Sequence, residues 1–241
     1  MSGRFIALIR GINVGGKNIV PMAALRARFV EHGFTDIETY IQSGNVVFSS
    51  TETDPRALGA RVSAILARHF SVETPVLVVS NATLARVVDE APKGFGETPD
   101  THRFDVLFVI PPVTPREVRA AITLKEGVDE AHVGSAALYF TRLIARATAS
   151  HLTRITQSGV YSALTIRNWN TTRALDDMAR GAGTPSSTKE AAKKTAKKKT
   201  AKTTAAGAAA SAKKTAAGAA ASAKKKTAKK TAAGAAASAK K

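Results

Sequence analysis

Apolar positions along the first 180 residues follow two alternating periods, and each switch between them marks an element. Residues 4–10 (RFIALIR) concentrate Phe, Ile and Leu and read as a buried strand. A glycine-rich loop, GINVGGKNIV, leads into a helical pattern with Pro21 in the first turn, Leu25 and Phe29 four apart on one face, and Gly33 at the stop. IETYIQ and VVFSS flank the turn tripeptide SGN and predict a hairpin. Asp54 and Pro55 open a second helix with Leu58, Val62, Ile65 and Leu66 inward, and VLVVS follows as a strand. The order is β-α-β-β-α-β.

The same grammar then restarts. A helix from about Asn81 carries Leu84, Val87 and Val88 on one face, and a Pro/Gly-rich loop leads from it to the strand FDVLFVI. Thr114-Pro115-Arg116-Glu117 combines a cap residue, a first-turn proline and an acid three residues after the cap, which is a capping box. Two short strands around Gly134, the second ending in ALYFTR, and helices from Ser150 onward complete β-α-β-β-α a second time. The pattern predicts an α+β fold of two ferredoxin-like β-α-β-β-α units, residues 1–80 and 81–184, in one compact body.

Beyond the run GAGTPSS the periodicity stops and composition takes over. Residues 185–241 hold sixteen lysines, one acid (Glu190), no arginine and no aromatic residue, and they repeat TAAGAAASAKK three times. Of 36 Lys+Arg and 18 Asp+Glu in the chain, 16 and 1 fall in this tail, leaving 20 and 17, or a net charge of +3, for residues 1–184. Cation type changes as well: the body has 17 arginines and three lysines (Lys17, Lys93 and Lys125). Such a tail buries too little apolar surface to offset chain entropy, so it is expected to be disordered, with a mean reach of about 40 Å.

A helix with one lysine face does not fit the repeats. The inserted KTAKK sets Lys240 roughly 160° around from Lys224, and Gly207, Gly218 and Gly234 each cost about 1 kcal/mol of helix. The partner expected of so loose a polycation is DNA or another polyanion, bound without sequence preference. Its contacts would come from Lys193, Lys194, Lys197, Lys198, Lys199, Lys213, Lys214, Lys224, Lys225, Lys226, Lys229 and Lys230. The tail is similar in composition to the lysine/alanine-rich tails of linker histones and some actinobacterial nucleoid proteins, which implies the same sequence-independent association. The bland alternative is a solubilising extension with no partner.

Several function classes drop out. Cysteine is absent, which removes disulfides, thiol catalysis and zinc-thiolate sites. FIALI is too short for a signal segment or a spanning helix, and no lipidated anchor accompanies the lysines, so the reading is a soluble cytoplasmic protein, nucleoid-associated through its tail, with no membrane partner. The five histidines (His32, His69, His102, His132 and His151) lack metal-ligand spacing, adjacent acids such as Asp176-Asp177 do not share a helix face, and no nucleophile elbow is present. No metal and no cofactor is expected, and no catalytic residue is assigned.

One loop invites a chemical test. Gly11 to Asn18 (GINVGGKN) fits G-x-x-x-x-G-K directly after a strand, the pattern that wraps phosphate in backbone amides with a lysine reaching its charge. Asn18 stands where magnesium needs a Ser or Thr hydroxyl, Ile19-Val20-Pro21 delays the helix, and no Walker-B-like aspartate follows. A looser site for a small phosphorylated or nucleotide-like anion, using Lys17 and loop amides, and a tight structural turn both remain.

ALIRGINVGGKNIVPMAALR (7–26), GFTDIETYIQSGNVVFSS (33–50) and TIRNWNT (165–171), in that order, closely resemble the bacterial domain of unknown function 1697 family over about residues 3–180. The resemblance implies a small α/β protein with ferredoxin-like halves and no agreed catalytic residues; the lysine tail lies outside it. The matching motifs supply Arg10, Asn13, Lys17 and Asn18, then Gln42, Ser43 and Asn45, then Arg167, Asn168, Trp169 and Asn170. Brought together at strand ends they would line a cleft of cationic and amide donors around one indole, suited to a small anion or a base. Turn and capping roles explain the same residues: Asn170 or Thr171 would cap the helix of Leu175 and Met178, and Trp169 would anchor the core.

Overall fold

Alternation along the first strand decides the layering. In β1 (Gly3–Ile9), Phe5, Ala7 and Ile9 point to one side and Ile6 and Leu8 to the other, and all five are buried, so this strand has a core on each face. A computed structural model describes residues 2–181, which lie within the unit Met1–Pro185. The disorder and the polyanion contacts expected of residues 185–241 lie outside the described residues.

After β1 come α1 (Met22–Glu31), β2 (Thr35–Tyr40), β3 (Asn45–Ser50), α2 (Pro55–Phe70), β4 (Val76–Ser80) and α3 (Asn81–Asp89). The second half runs β5 (His102–Val109), α4 (Pro115–Ala121), β6 (Asp129–Val133), β7 (Ala137–Leu143), α5 (Leu152–Gln157), β8 (Leu164–Asn168) and α6 (Trp169–Ala179), with 3-10 turns at Ile144–Ala149 and Gly159–Ala163 on either side of α5. Among the described residues the strands form two antiparallel four-stranded sheets, ordered β2-β3-β1-β4 and β6-β7-β5-β8. Both orders are the same when counted from the start of each half. The fold is α+β with ferredoxin-like halves, as the apolar periods imply.

One correction extends that reading. The second half, like the first, is β-α-β-β-α-β rather than β-α-β-β-α, because Leu164–Asn168 pairs with β5 as a fourth strand, Leu107 opposite Ile166 and Val106 opposite Arg167. Thr165 and Arg167 interrupt the apolar run there, which hides the strand from the pattern.

Three apolar layers result. The outer side of the first sheet packs α1 and α2 over Phe5, Ala7, Ile9, Val46 and Phe48, with Phe29, Phe34 and Phe48 in mutual ring contact at 4.8–5.5 Å between centroids. The outer side of the second sheet packs Val118 of α4 and Leu152 and Ile155 of α5 over Leu107, Val109, Leu138 and Phe140. Between the sheets lies a shared layer in which Ile6, Leu8, Leu77 and Val79 meet Phe104, Val106, Phe108 and Tyr139, joined by Leu84 and Val87 of α3 and Trp169, Leu175 and Met178 of α6. Burying each such side chain contributes about 1.5–3 kcal/mol, so this layer binds the two halves into one body.

Caps set where the helices begin. Asp54 accepts from the backbone N–H of Arg56 and Ala57, Ser80 from Thr83, and Asn168 from Asn170. The α6 cap is therefore Asn168, two or three residues earlier than the sequence reading put it, with Asn170 and Thr171 inside the helix. Each fourth strand ends in the residue that caps the next helix. Thr114 and Glu117 form the reciprocal capping box that their spacing predicts.

Candidate functional site

Two arginines cross between the halves where β1, the β2–β3 turn and β8 converge. Arg10, just past β1, donates through Nη1 to the carbonyls of Tyr161 (2.6 Å), Ser162 (3.3 Å) and Leu164 (3.3 Å), and its guanidinium lies 4.8 Å from the Tyr161 ring centroid. Arg167, on β8, reaches the other way. Its Nη2 donates to the carbonyls of Ile9 (2.9 Å) and Gly44 (3.3 Å), its Nε to Asn45 Oδ1 (2.5 Å), and its Nη1 to Thr165 Oγ1 (3.0 Å) and the Ile166 carbonyl (2.8 Å). Neutral acceptors satisfy all three guanidinium nitrogens.

Burial sets the electrostatics of this clasp. Arg167 is 8% exposed and desolvation lowers its pKa to about 10, so it remains a cation at neutral pH. Asn45 is fully buried and also donates to the Tyr40 carbonyl and Ser43 Oγ, both at 3.2 Å. Gly44 is required at the tip: its φ is +77°, and a Cβ there would lie 2.6 Å from the Ile9 carbonyl oxygen that Arg167 uses.

The glycine-rich loop is fastened to the same turn. Asn13 Nδ2 donates to the carbonyls of Val20 and Gln42, each at 2.8 Å, and Asn13 Oδ1 accepts from the Val20 N–H at 2.8 Å. Asn18 Nδ2 donates to the Gly11 carbonyl at 3.2 Å. Val14 and Lys17 face each other across Gly15 and Gly16, whose φ angles of 60° and 78° give a tight hairpin tip. The asparagines therefore hold the loop's own backbone, while Lys17 makes no side-chain hydrogen bond or ion pair among the described residues.

Of the residues singled out in the sequence, Arg10, Asn13, Asn18, Gln42, Ser43, Asn45 and Arg167 thus come into one network, with Lys17 at its exposed tip. Asn168, Trp169 and Asn170 do not join it. Asn168 Nδ2 donates to the Phe104 carbonyl at 3.1 Å, and the Trp169 indole sits edge-on to Phe95 at 5.1 Å in the shared core layer. Those three residues line a separate cavity of about 150 Å³ with Gly96, His102 and Arg103. The clasp is filled by its own side chains. A larger, mainly apolar groove of about 630 Å³ runs along β4, lined by Gly59, Ser63, Leu77, Val79, Ile110 and Pro111.

Sequence reasoning missed Tyr161 and Thr165 as members of the clasp, and it missed a histidine pair. His32 and His69 face each other across the ends of α1 and α2 with Nε2 atoms 3.3 Å apart. No short-range spacing announces contacts between residues 37 or 151 positions apart.

With this geometry in view, the relatives are informative. Residues 2–139 match the family described as Protein of unknown function (DUF1697). The chain belongs to this family. The conserved bacterial protein SP0830 from Streptococcus pneumoniae has a solved structure that is 25% identical, with a TM-score of 0.66, over 74% of this chain and 99% of that one. No curated protein matches the chain. Both matches fix the family and the fold of the body. No helix among the described residues is long and apolar enough to cross a membrane.

Proposed function

We propose that this DUF1697 protein associates non-specifically with DNA through its lysine tail and that the body is the cargo so tethered. The observation that carries this reading is the charge partition: sixteen lysines against one acid in residues 185–241, beside 20 Lys+Arg against 17 Asp+Glu in residues 1–184. Two of the body's cations, Arg10 and Arg167, are committed to hydrogen bonds inside the body, most of them to the opposite half, so polyanion attraction falls to the tail. The reading also puts the protein in the cytoplasm, at the nucleoid.

The test is gel retardation of a random-sequence duplex by the full chain and by residues 1–184. The full chain is expected to retard it and the shortened chain to leave it free; equal binding by both would overturn the proposal. If 8 to 10 lysines engage phosphate, raising salt from about 50 to 200 mM should weaken binding by about 10⁴ to 10⁵.

A small phosphorylated or nucleotide-like anion at the Gly11–Asn18 loop is the second reading, favoured by the exposed and uncommitted Lys17. It predicts a ligand-dependent rise in melting temperature that Lys17→Ala abolishes. A flat profile across nucleotides and sugar phosphates would exclude it.

A further inference from the structure

We infer that His32 and His69 form a two-imidazole binding site for a divalent metal ion of the zinc class. The bite distance carries the assignment. Two nitrogens at 2.0–2.1 Å from a tetrahedral ion lie about 3.3 Å apart, whereas adjacent ligands of a square-planar ion lie about 2.9 Å apart. The two Nε2 atoms stand 3.3 Å apart, within reach of an imidazole–imidazole hydrogen bond in the metal-free pair and equal to the tetrahedral value for a bridged one.

The rings are held rather than loosely apposed. They sit edge to face, 5.6 Å between centroids and 75° between planes. The backbone N–H of His32 donates to the Arg28 carbonyl, closing α1. Arg61, on the middle of α2, donates through Nη2 to the His32 carbonyl at 2.7 Å and lies 4.5 Å from the Phe34 ring centroid, so the end of α1 is pinned to α2. His69 lies two residues before α2 closes at Ser71, whose φ of 53° is left-handed. Both rings are half-buried, leaving an open side for water to fill the remaining coordination positions.

The charges around the pair set its strength. Arg28, Arg61 and Arg68 surround it, and Glu31, the acid on α1 beside it, is engaged by Arg28 at 2.6 Å. These cations disfavour an added positive ion, so affinity rests on the spacing and fixed orientation of the two rings. Among the described residues no third His, Cys, Asp or Glu completes a cage. The site is therefore weaker than a four-ligand structural zinc site, and its signature is dependence on both rings at once.

Titrating the full chain with zinc chloride while following the imidazole signals of all five histidines tests this directly. His32 and His69 should shift together and saturate at one ion per chain, with His102, His132 and His151 unmoved. His32→Ala and His69→Ala should each lower the affinity at least tenfold. His69→Gln, which keeps the bulk, guards against loss of fold, with Trp169 fluorescence reporting the native core. Unmoved His32 and His69 signals, or undiminished affinity in either alanine variant, would overturn the site.

Discussion

The fourth strands of the two halves occupy equivalent places and do different things. In β4 the residues facing the shared layer are Leu77 and Val79; in β8 the corresponding positions are Thr165 and Arg167. Both strands pair with the first strand of their half and both end in a helix cap, Ser80 or Asn168. An apolar pair needs only to be covered, and residues of either half can cover it. A buried arginine needs acceptors at fixed positions, and it finds them on Ile9, Gly44 and Asn45 of the other half. The fourth strand of the first half thus contributes area to the junction, and that of the second contributes direction.

The strongest way to break this asymmetry is to remove the guanidinium. Arg167→Ala deletes every hydrogen bond that Arg167 makes and takes from Asn45 Oδ1 and the Ile9 carbonyl their guanidinium donor, while the Gly44 carbonyl keeps the Ile9 N–H, at a cost of about 3–5 kcal/mol. Arg167→Lys should recover little, because one ammonium cannot span acceptors placed for a planar fork. Urea unfolding followed by the single tryptophan measures both. A loss below about 1 kcal/mol for the alanine variant would mean that the apolar layer alone orients the halves.

A second contrast concerns two glycines with positive φ, one on each side of the junction. Gly96 has φ of +92° and its missing Cβ would overlap the Trp169 indole, whereas Gly11, at +68°, faces nothing within 4 Å. Gly96→Ala combines backbone strain with overpacking and should cost about 2–4 kcal/mol; Gly11→Ala should cost only the conformational part, about 1–2 kcal/mol. Equal losses would show that backbone conformation, not the indole, governs Gly96. Trp169 emission separates the outcomes, since only Gly96→Ala should move it.

Two asparagines of the loop after β1 differ again. Asn13 ties its loop to both Val20 and the hairpin turn, and Asn13→Ala should cost about 1–2 kcal/mol, more than Asn18→Ala, which loses one exposed bond. If the two cost the same, the Gly11–Val20 loop is not part of the clasp.

These contrasts also show what the sequence made legible. Strand–helix order in the first half, the hairpin and the Thr114–Glu117 box follow from local period and spacing, because each is decided by residues within about one element's length. Strand β8 did not follow, since Thr165 and Arg167 read as polar breaks until Asn45 and the Ile9 carbonyl, more than 120 residues away, supply their partners. Pooling Asn168, Trp169 and Asn170 with Arg167 as one cleft had the same cause. Adjacent residues leave a strand on opposite faces, and the strand-to-helix change at Asn168 turns Trp169 into the core. The His32–His69 pair, contributed by two helix ends 37 residues apart, left no local pattern at all.

The smallest contrast lies in the first helix of each half. Helix α1 starts at Pro21 with no side-chain cap, while α4, only seven residues long, is opened by Thr114 and Glu117. Thr114→Ala should cost about 1 kcal/mol at neutral pH. Hydrogen bonds from the Thr114 hydroxyl and then its backbone N–H hold the Glu117 carboxyl below its ordinary value of 4.5. An acid whose folded-state pKa is depressed stabilises the fold above its unfolded value, and that contribution is lost as pH falls through the lower, folded one. The gap between wild type and Thr114→Ala should therefore be widest above about pH 5 and narrow below it, and in a Glu117→Gln background the narrowing should vanish. Pro21→Ala on α1 should show no such dependence, because no carboxylate closes that helix. If the acid sensitivity persists in the Glu117→Gln background, it belongs to another group, and the capping box contributes only its neutral hydrogen bonds.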